Sequence, residues 1–233
     1  LIFGARRVES RIRRGRCIGV LLLLQVIAGL LLNFVFAPPL FGEPGFLINA
    51  APNAVQIAQS VLIAVAMGLV SLAVASLLYP LFKTYSQPLA LFYFALATAG
   101  FALTVAENIS VMSMVSLSKA YTEAGGAQEA MYQGLRIVVR STRNWTHYIS
   151  LIVSGATLFT FYAAMFRFSL VPRLLAGFGL LACLSQMIAV SMPLFGHDVD
   201  FRLIAPLGIV EIALSLWLIV KGFRAAGEPA RAS

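Results

Sequence analysis

The stretch RIRRGRCIGVLLLLQVIAGLLLNFVFA, residues 11–37, decides the fold. Arginines crowd its first positions, and no charged side chain follows from residue 17 to residue 37. An α-helix rises about 1.5 Å per residue, so about 20 apolar residues cross the roughly 30 Å hydrocarbon core of a bilayer. A transmembrane β-strand would alternate apolar and polar residues, and runs such as 20–24 do not alternate. The stretch therefore predicts a membrane-spanning helix.

The rest of the chain has the same character. Of its 233 residues 60% are hydrophobic and 11% are charged, with a mean hydropathy of +0.90. This excludes an ordinary soluble domain, in which about 25% of residues are charged. We predict an all-α fold: an integral membrane bundle of six transmembrane helices, with an outer amphipathic helix between the third and the fourth. The predicted spans are residues 17–37, 54–82, 88–117, 145–166, 172–195 and 203–223.

The distribution of lysine and arginine predicts the direction of the spans. Short cytoplasmic loops of membrane proteins are enriched in these residues. We therefore expect both termini in the cytoplasm, with 1–16 a basic arm, 17–223 the six-helix domain and 224–233 a tail. The residues assigned to the inside are Arg6, Arg7, Arg11, Arg13, Arg14, Arg16, Lys83, Arg167, Arg173, Lys221, Arg224 and Arg231. The net charge of +8 is then an orientation signal that requires no nucleic acid, and membrane lipids with anionic head groups become expected partners.

Two features of the apolar stretches have simple structural interpretations. Residues 35–37 resemble a signal-peptide cleavage site after a basic start, but Pro38 would follow the cut directly, so we expect the first span to be retained. Cys17 and Cys183 both lie in apolar stretches, and two cysteines cannot form a disulfide framework. We expect both to be small buried side chains.

Three arginines lie in the segment between the third and fourth spans. The predicted orientation places that segment outside, where the positive-inside bias predicts few cations. Arg136, Arg140 and Arg143 are followed by His147, and the spacing of four, three and four places them on one helix face. Serines and a threonine continue this row into the fourth span. We predict one helix that begins outside the membrane as an amphipathic segment and enters it. An interfacial helix facing lipid head groups is one interpretation. A functional site is the other, because polar groups below the interface need protein partners.

Acidic and amide side chains on other spans are candidate partners. Glu107 and Asn108 lie in the third span, Gln186 in the fifth and Glu211 in the sixth. An ionised carboxylate facing lipid costs about 2.5 to 3.5 kcal/mol on insertion scales. We expect Glu107 to pair with Arg136 or Arg140 and to stay ionised. Glu211 has no obvious cation near it in the sequence. For this residue we expect a neutral carboxylic acid, hydrogen-bonded across helices, as readily as an ion pair.

These residues suggest a hydrated pocket in the outer half of the membrane. Arginine can bind two oxygens of a phosphate or carboxylate, and histidine can move a proton near neutral pH. The hypothesis is a polytopic inner-membrane protein that binds, and in one version modifies, a small amphipathic or lipid-like anionic ligand. The proposed pocket residues are Glu107, Asn108, Arg136, Arg140, Arg143, His147, Gln186 and Glu211.

The sequence does not decide whether the protein is an enzyme, a subunit of a complex or a carrier. If the protein is an enzyme, Glu107, Glu211 or His147 would do the acid–base work. One alternative is an accessory or structural subunit of a larger membrane complex, in which the polar stripe contacts a protein partner. A further alternative is a proton-coupled carrier, although no inverted repeat is evident.

No metal or cofactor is indicated. His197, Asp198 and Asp200 form a small cluster after the fifth span, but a metal site needs further ligands, so we predict a polar loop. Phosphate-binding loops, dinucleotide fingerprints and nucleophile elbows are absent from the sequence. We therefore predict no cofactor.

The segment FRFSLVPRLLAG, residues 166–177, resembles the signature of a bacterial polytopic family, domain-of-unknown-function family 4386. In that family a short turn leads into Leu-x-Pro-Arg and another membrane helix. The resemblance implies six spans, an acidic residue in the third and a multi-pass location in the bacterial inner membrane, but no activity. In physical terms, Arg167, Pro172 and Arg173 are expected to form a tight cytoplasmic turn, because proline favours a helix start and arginines anchor at the interface.

Overall fold

The computed structural model describes residues 2–125 and 127–224, and every element of regular structure in these ranges is a helix. The first helix continues as a π-helical turn, Leu32–Phe36, and two 3-10 turns, Met192–Phe195 and Phe201–Leu203, precede the last helix. The α-helices are α1 (Ile2–Leu31), α2 (Pro38–Phe41), α3 (Phe46–Asn49), α4 (Ala54–Lys83), α5 (Gln87–Glu123), α6 (Glu129–Arg167), α7 (Arg173–Ser191) and α8 (Ala205–Lys221).

Within the described residues, six helical segments are long and apolar enough to cross a membrane, which confirms the predicted number of spans. They are Arg11–Phe36, Ala54–Lys83, Gln87–Glu123, Glu129–Arg167, Arg173–Phe195 and Phe201–Lys221. The prediction of one continuous helix from the amphipathic segment into the fourth span is also confirmed, by α6.

Two helices are longer than the predicted spans. Helix α5 continues past residue 117 to Glu123, because the polar residues at its end are compatible with a helix even where they no longer suit hydrocarbon. The described part of the basic arm is helical from Ile2, continuous with the first span, since arginine is a good helix former.

The chain divides into two compact units. Unit 1 contains Leu1–Val26, Val70–Thr98 and Leu151–Ser233, and unit 2 contains Ile27–Leu69 and Ala99–Ser150. Each unit therefore combines segments that are far apart in the sequence.

In unit 1, α1 packs tightly against α8. A methyl group built on Gly19 would lie 2.8 Å from the carbonyl oxygen of Ser215, and one on Gly15 would lie 2.6 Å from the backbone nitrogen of Phe223. Two glycines four residues apart thus let the two backbones approach, as small residues do in membrane helix pairs. Cys183 is buried in this unit as expected, but the expectation for Cys17 is wrong, because Cys17 is exposed. Residue 17 is two positions from each glycine, about 200° around the helix, and so points away from α8.

In unit 2, the segment between the first two spans folds onto α5. The hydroxyl of Ser118 accepts a hydrogen bond from the backbone nitrogen of Ala51 (2.8 Å) and donates one to the carbonyl oxygen of Leu47 (2.9 Å). Apolar residues of α2, α3 and α4 pack there against residues of α5: Leu40, Phe46, Ala50, Ile57, Val111, Met114 and Val115. The short helices α2 and α3 are thereby fixed beside the C-terminal third of α5.

Candidate functional site

Helices α5 and α6 form an antiparallel hairpin in unit 2, joined by residues 124–128. In such a hairpin, residues equally distant from the turn face each other. Near the turn, the hydroxyl of Tyr132 donates to the carbonyl oxygen of Ala120 at 3.1 Å. Continuing this register away from the turn places Glu107 opposite Trp145, since the two are equally distant from the facing helix ends.

One carboxylate oxygen of Glu107 receives two donors from α6. Oε1 lies 3.0 Å from Nη2 of Arg143 and 2.9 Å from Nδ1 of His147. The side chains of Glu107 and Arg143 are only 16% and 15% exposed, and that of His147 is 33% exposed. Because the carboxylate accepts from a guanidinium, we assign the Nδ1 proton to His147, which leaves Nε2 as the ring nitrogen with a free lone pair. We call these three residues the carboxylate cluster.

The prediction that Glu107 pairs with Arg136 or Arg140 is wrong. By helix rise, Arg140 lies about 4.5 Å and Arg136 about 10.5 Å closer to the turn than Arg143, so neither lies opposite Glu107. Arg140 is exposed and has no ion-pair or hydrogen-bond partner among the described residues. Arg136 is partly buried and donates from Nη1 to Oε1 of Gln133 at 3.2 Å.

The loop helices contribute two residues that sequence reasoning missed. The ring centroid of Phe41, at the end of α2, lies 4.6 Å from the guanidinium carbon of Arg143, a cation–π contact. Gly45 has a φ of +111°, and a methyl group on it would lie 3.1 Å from Nη2 of Arg136. The available signal was the Pro- and Gly-rich run PPLFGEPG at residues 38–45, which predicts tight turns. This run contains no lysine or arginine, so charge does not mark it as part of a site.

The side chain of Asn108, next to Glu107 in the sequence, forms its hydrogen bond within its own helix. It is buried, and its Nδ2 donates to the carbonyl oxygen of Thr104 at 2.8 Å. Arg143 differs, because its Nε is buried and has no hydrogen-bond acceptor in the described part of the chain. The cluster therefore holds a guanidinium whose donor capacity its described neighbours do not exhaust.

Gln186 and Glu211, the other predicted pocket residues, belong to unit 1. Gln186 is buried on α7, and its Oε1 has no partner among the described residues. Gly155 of α6 makes room for it, since a methyl group there would lie 3.0 Å from that oxygen. Glu211 is partly buried on α8 and forms no ion pair with a described side chain. That these residues share one cavity with Glu107 stays a prediction.

The loop after the fifth span is organised by an acid–arginine contact. Asp200 accepts from the guanidinium of Arg202 at 2.9 and 3.0 Å and from its backbone nitrogen at 3.0 Å. These hydrogen bonds hold the pKa of Asp200 below its usual range. Nowhere in residues 2–125 and 127–224 do three His, Cys, Asp or Glu side chains group as metal ligands would.

Residues 17–222 match the family described as Domain of unknown function (DUF4386). The chain belongs to this family. The match confirms the resemblance that the segment 166–177 suggested, and it covers nearly all of the six candidate spans. No curated protein and no solved structure matches the chain.

In this DUF4386 member the segment that carries the resemblance forms a short turn. Helix α6 ends at Arg167 and α7 begins at Arg173, directly after Pro172. Ser169 has a φ of +50°, and its hydroxyl accepts from Nε of Arg173 at 3.3 Å. The two arginines are exposed at the helix ends.

Proposed function

We propose that this DUF4386 membrane protein binds a small anionic amphiphile, with a phosphate or carboxylate head group, at the carboxylate cluster of unit 2. The observation that carries the proposal is the state of Arg143. Its guanidinium is mostly buried, fixed by Glu107 and Phe41, and keeps an Nε without an acceptor among the described residues.

The charge balance of α6 supports an anionic head group. Glu107 is the one described acid in contact with Arg143, whereas Arg136 and Arg140 form no ion pair with any described carboxylate. A phosphate or carboxylate bound between Arg140 and Arg143 would take two charge-assisted hydrogen bonds. Because Arg143 is already held in place, less side-chain ordering opposes its contribution to binding.

Helix α6, which carries Arg143 and His147, also exposes apolar side chains. Leu135, Ile137, Val138 and Ile149 are exposed on the same helix, α6. Hydrocarbon around this helix can accommodate the acyl or alkyl tail of an amphiphile, whereas a soluble anion has no tail to place there. This favours an amphiphile over a free anion.

His147 supports a second candidate, proton transfer on the bound ligand. Glu107 binds Nδ1 at 2.9 Å and thereby fixes the ring, leaving Nε2 to act as a general base. The side chain is one-third exposed, so a ligand can reach it. In this version the protein modifies the ligand that it binds.

The proposal places the protein in the bacterial inner membrane with both termini in the cytoplasm. Its support is the positive-inside bias. Helices α4, α6 and α8 each end on a cation, at Lys83, Arg167 and Lys221. A reporter enzyme fused to each terminus in turn would test this orientation.

The binding test uses dodecyl phosphate and the native tryptophan of the site. The chain has two tryptophans, and Trp145 lies on α6 between the arginine and the histidine of the cluster. In a Trp217→Phe background, Trp145 fluorescence should saturate as dodecyl phosphate is added to the purified protein in maltoside detergent. Dodecanol, which has the same tail and no charge, should bind much more weakly.

Two variants and one control decide the outcome. Arg140→Gln should weaken dodecyl phosphate binding about tenfold, because a hydrogen bond to a charged group is worth about 1.5 to 3 kcal/mol. Arg140 is exposed, so this variant should fold normally, and Arg143→Lys tests the second arginine while keeping its charge. Arg202→Gln, already paired with Asp200 in unit 1, should bind as the parent does. If Arg140→Gln and Arg143→Lys bind dodecyl phosphate with the same affinity as the parent and the Arg202→Gln control, the proposal is refuted.

The two alternative functions give different results in the same preparation. A subunit of a larger complex would show a second protein at fixed stoichiometry in native mass spectrometry. A proton-coupled carrier would move protons across liposomes that contain the purified protein. Ligand binding with neither signal would support the proposed function.

A further inference from the structure

The cations at the helix ends of unit 1 have no acidic partner among the side chains that the structure describes. Among the described side chains, ion pairs join Glu107 to Arg143 and His147, and Asp200 to Arg202. The remaining cations of unit 1 whose side chains are described, which we call the basic end, form none of these pairs. They are Arg11, Arg13, Arg14, Arg16, Lys83, Arg167, Arg173, Lys221 and Arg224.

Hydrogen bonds join these helix ends into one surface of unit 1. Nη2 of Arg16 on α1 donates to the carbonyl oxygen of Val220 on α8 at 3.4 Å. The backbone nitrogen of Arg224, after α8, donates to the carbonyl oxygen of Leu170 in the α6–α7 turn at 2.9 Å. These bonds bring the ends of α1 and α8 and the α6–α7 turn, with the cations that they carry, to one part of unit 1.

An aromatic stack lies within this surface. The rings of Tyr85, between α4 and α5, and Phe168, in the α6–α7 turn, are 4.3 Å apart at an interplanar angle of 15°. Nη1 of Arg11 donates to the Tyr85 hydroxyl at 3.4 Å. Beside Phe168, Ser169 accepts from Nε of Arg173 at 3.3 Å. Arg11 is thus held by Tyr85 itself, and Arg173 is held by the residue that follows Phe168.

We propose that Arg11 and Arg173, held beside the Tyr85–Phe168 stack, bind the phosphate of an anionic membrane phospholipid. The candidate spans end at this surface, which places it at the depth of the head groups. Arginine forks match phosphate oxygens, and tyrosine is suited to the boundary between hydrocarbon and water. Anionic head groups of the bilayer supply the negative charge that no described acidic side chain provides to the cations of the basic end.

The surface beside Arg173 shows where the acyl chains lie. Leu174 is 80% exposed, and Phe178 and Leu181 are also exposed. Their spacing of four and three residues puts them on one face of α7. An apolar track therefore begins next to the phosphate-binding arginine and runs along the helix, which favours a lipid over a free phosphate.

This site is independent of the proposed function, because it uses none of the residues of the carboxylate cluster. The test is native mass spectrometry of the full-length protein, released from nanodiscs that contain equal amounts of phosphatidylglycerol and phosphatidylcholine. The parent should retain phosphatidylglycerol in preference to phosphatidylcholine. Equal retention of the two lipids would overturn the proposal.

Variants then separate a site from diffuse attraction. Arg11→Gln and Arg173→Gln should each lower phosphatidylglycerol affinity about fivefold, as expected for one cation at an anionic surface. Tyr85→Phe, which removes only the hydroxyl, should also weaken binding. The matched control is Arg13→Gln on the same helix, because Arg13 is exposed and does not contact the stack.

The remaining outcomes are equally decisive. An equal loss in Arg13→Gln and Arg11→Gln would show general electrostatic attraction and would overturn the site. Displacement of phosphatidylglycerol by millimolar inorganic phosphate would show a free-anion site and would overturn the lipid assignment. Unchanged affinity in Glu107→Gln would confirm that the site is separate from the carboxylate cluster, and a loss there would contradict this separation.

Discussion

Replacing Glu107 alone should destabilise the folded protein more than replacing Glu107 and Arg143 together. Their side chains meet at 3.0 Å and are 16% and 15% exposed. Glu107→Leu leaves a mostly buried guanidinium with neither Nη2 nor Nε bonded to a described acceptor. The pair Glu107→Leu and Arg143→Met instead leaves two apolar side chains of similar size, which is often close to neutral.

The expected magnitudes follow from these contacts. Breaking a buried ion pair costs about 3 to 5 kcal/mol, and we take about 3 for Glu107→Leu because some exposure and the Phe41 contact remain. Arg143→Met should cost less, about 2 kcal/mol, because His147 still donates to the carboxylate at 2.9 Å. The double variant should stay within about 1 kcal/mol of the parent. For a chain of this size, 3 kcal/mol corresponds to about 6 to 12 °C in Tm.

The measurement is thermal unfolding of the four proteins in one detergent at pH 7, followed by tryptophan fluorescence. A double variant whose loss of Tm equals the sum of the two single losses would refute the coupling argued here. Dodecyl phosphate titration of the same samples separates stability from function. The double variant should be stable but bind the probe poorly, and full binding by it would contradict a ligand role for Arg143.

Two further predictions concern packing and exposure in helix α1 and the reactivity of the cysteines. Gly19→Ala should lower Tm by several degrees, because its methyl group meets α8 backbone atoms at 2.8 Å and overpacking costs about 1 to 3 kcal/mol. Gly29→Ala on the same helix, with nothing within 4 Å, should leave Tm unchanged or raise it, and equal effects would contradict the close packing. In the folded protein a maleimide should modify Cys17 and spare Cys183, with both reacting in dodecyl sulfate. Modification of Cys183 without unfolding would show that its burial is wrong.

The spans could be predicted because lipid imposes one simple requirement on them. A stretch of about 20 apolar residues satisfies its backbone only as a helix, so composition and length were enough. The continuity of α6 was also predictable, since its polar row keeps one helical face from the amphipathic segment into the span. The ends of the helices were harder to predict. The polar residues after position 117 do not suit hydrocarbon, and yet they remain helical.

The partner of Glu107 depended on that helix end. Once α5 is known to reach Glu123 and α6 to begin at Glu129, counting back from the turn places Glu107 between Arg143 and His147. With the helix ended at residue 117 no such register could be counted, and the choice of Arg136 or Arg140 rested on residue type alone. The error was one of position along the helix and not of chemistry.

The contribution of Phe41 and Gly45 could not be predicted from charge or periodicity. Both lie in a loop that contains no lysine or arginine, and their role depends on tertiary contacts of α2 and α3 with α5. A proline- and glycine-rich run predicts turns, but it does not predict which helix those turns touch.

The glycine contact between α1 and α8 bears on how the protein is made. The first span leaves the ribosome long before its partner exists, and the ribosome adds about 5 to 20 residues per second. The Gly15–Gly19 face of α1 therefore stays without α8 until that later span has entered the bilayer. The α1–α8 contact of unit 1 can form only after α8 has been made, so a premature stop before α8 should deprive the first helix of its neighbour and expose it to quality-control proteolysis.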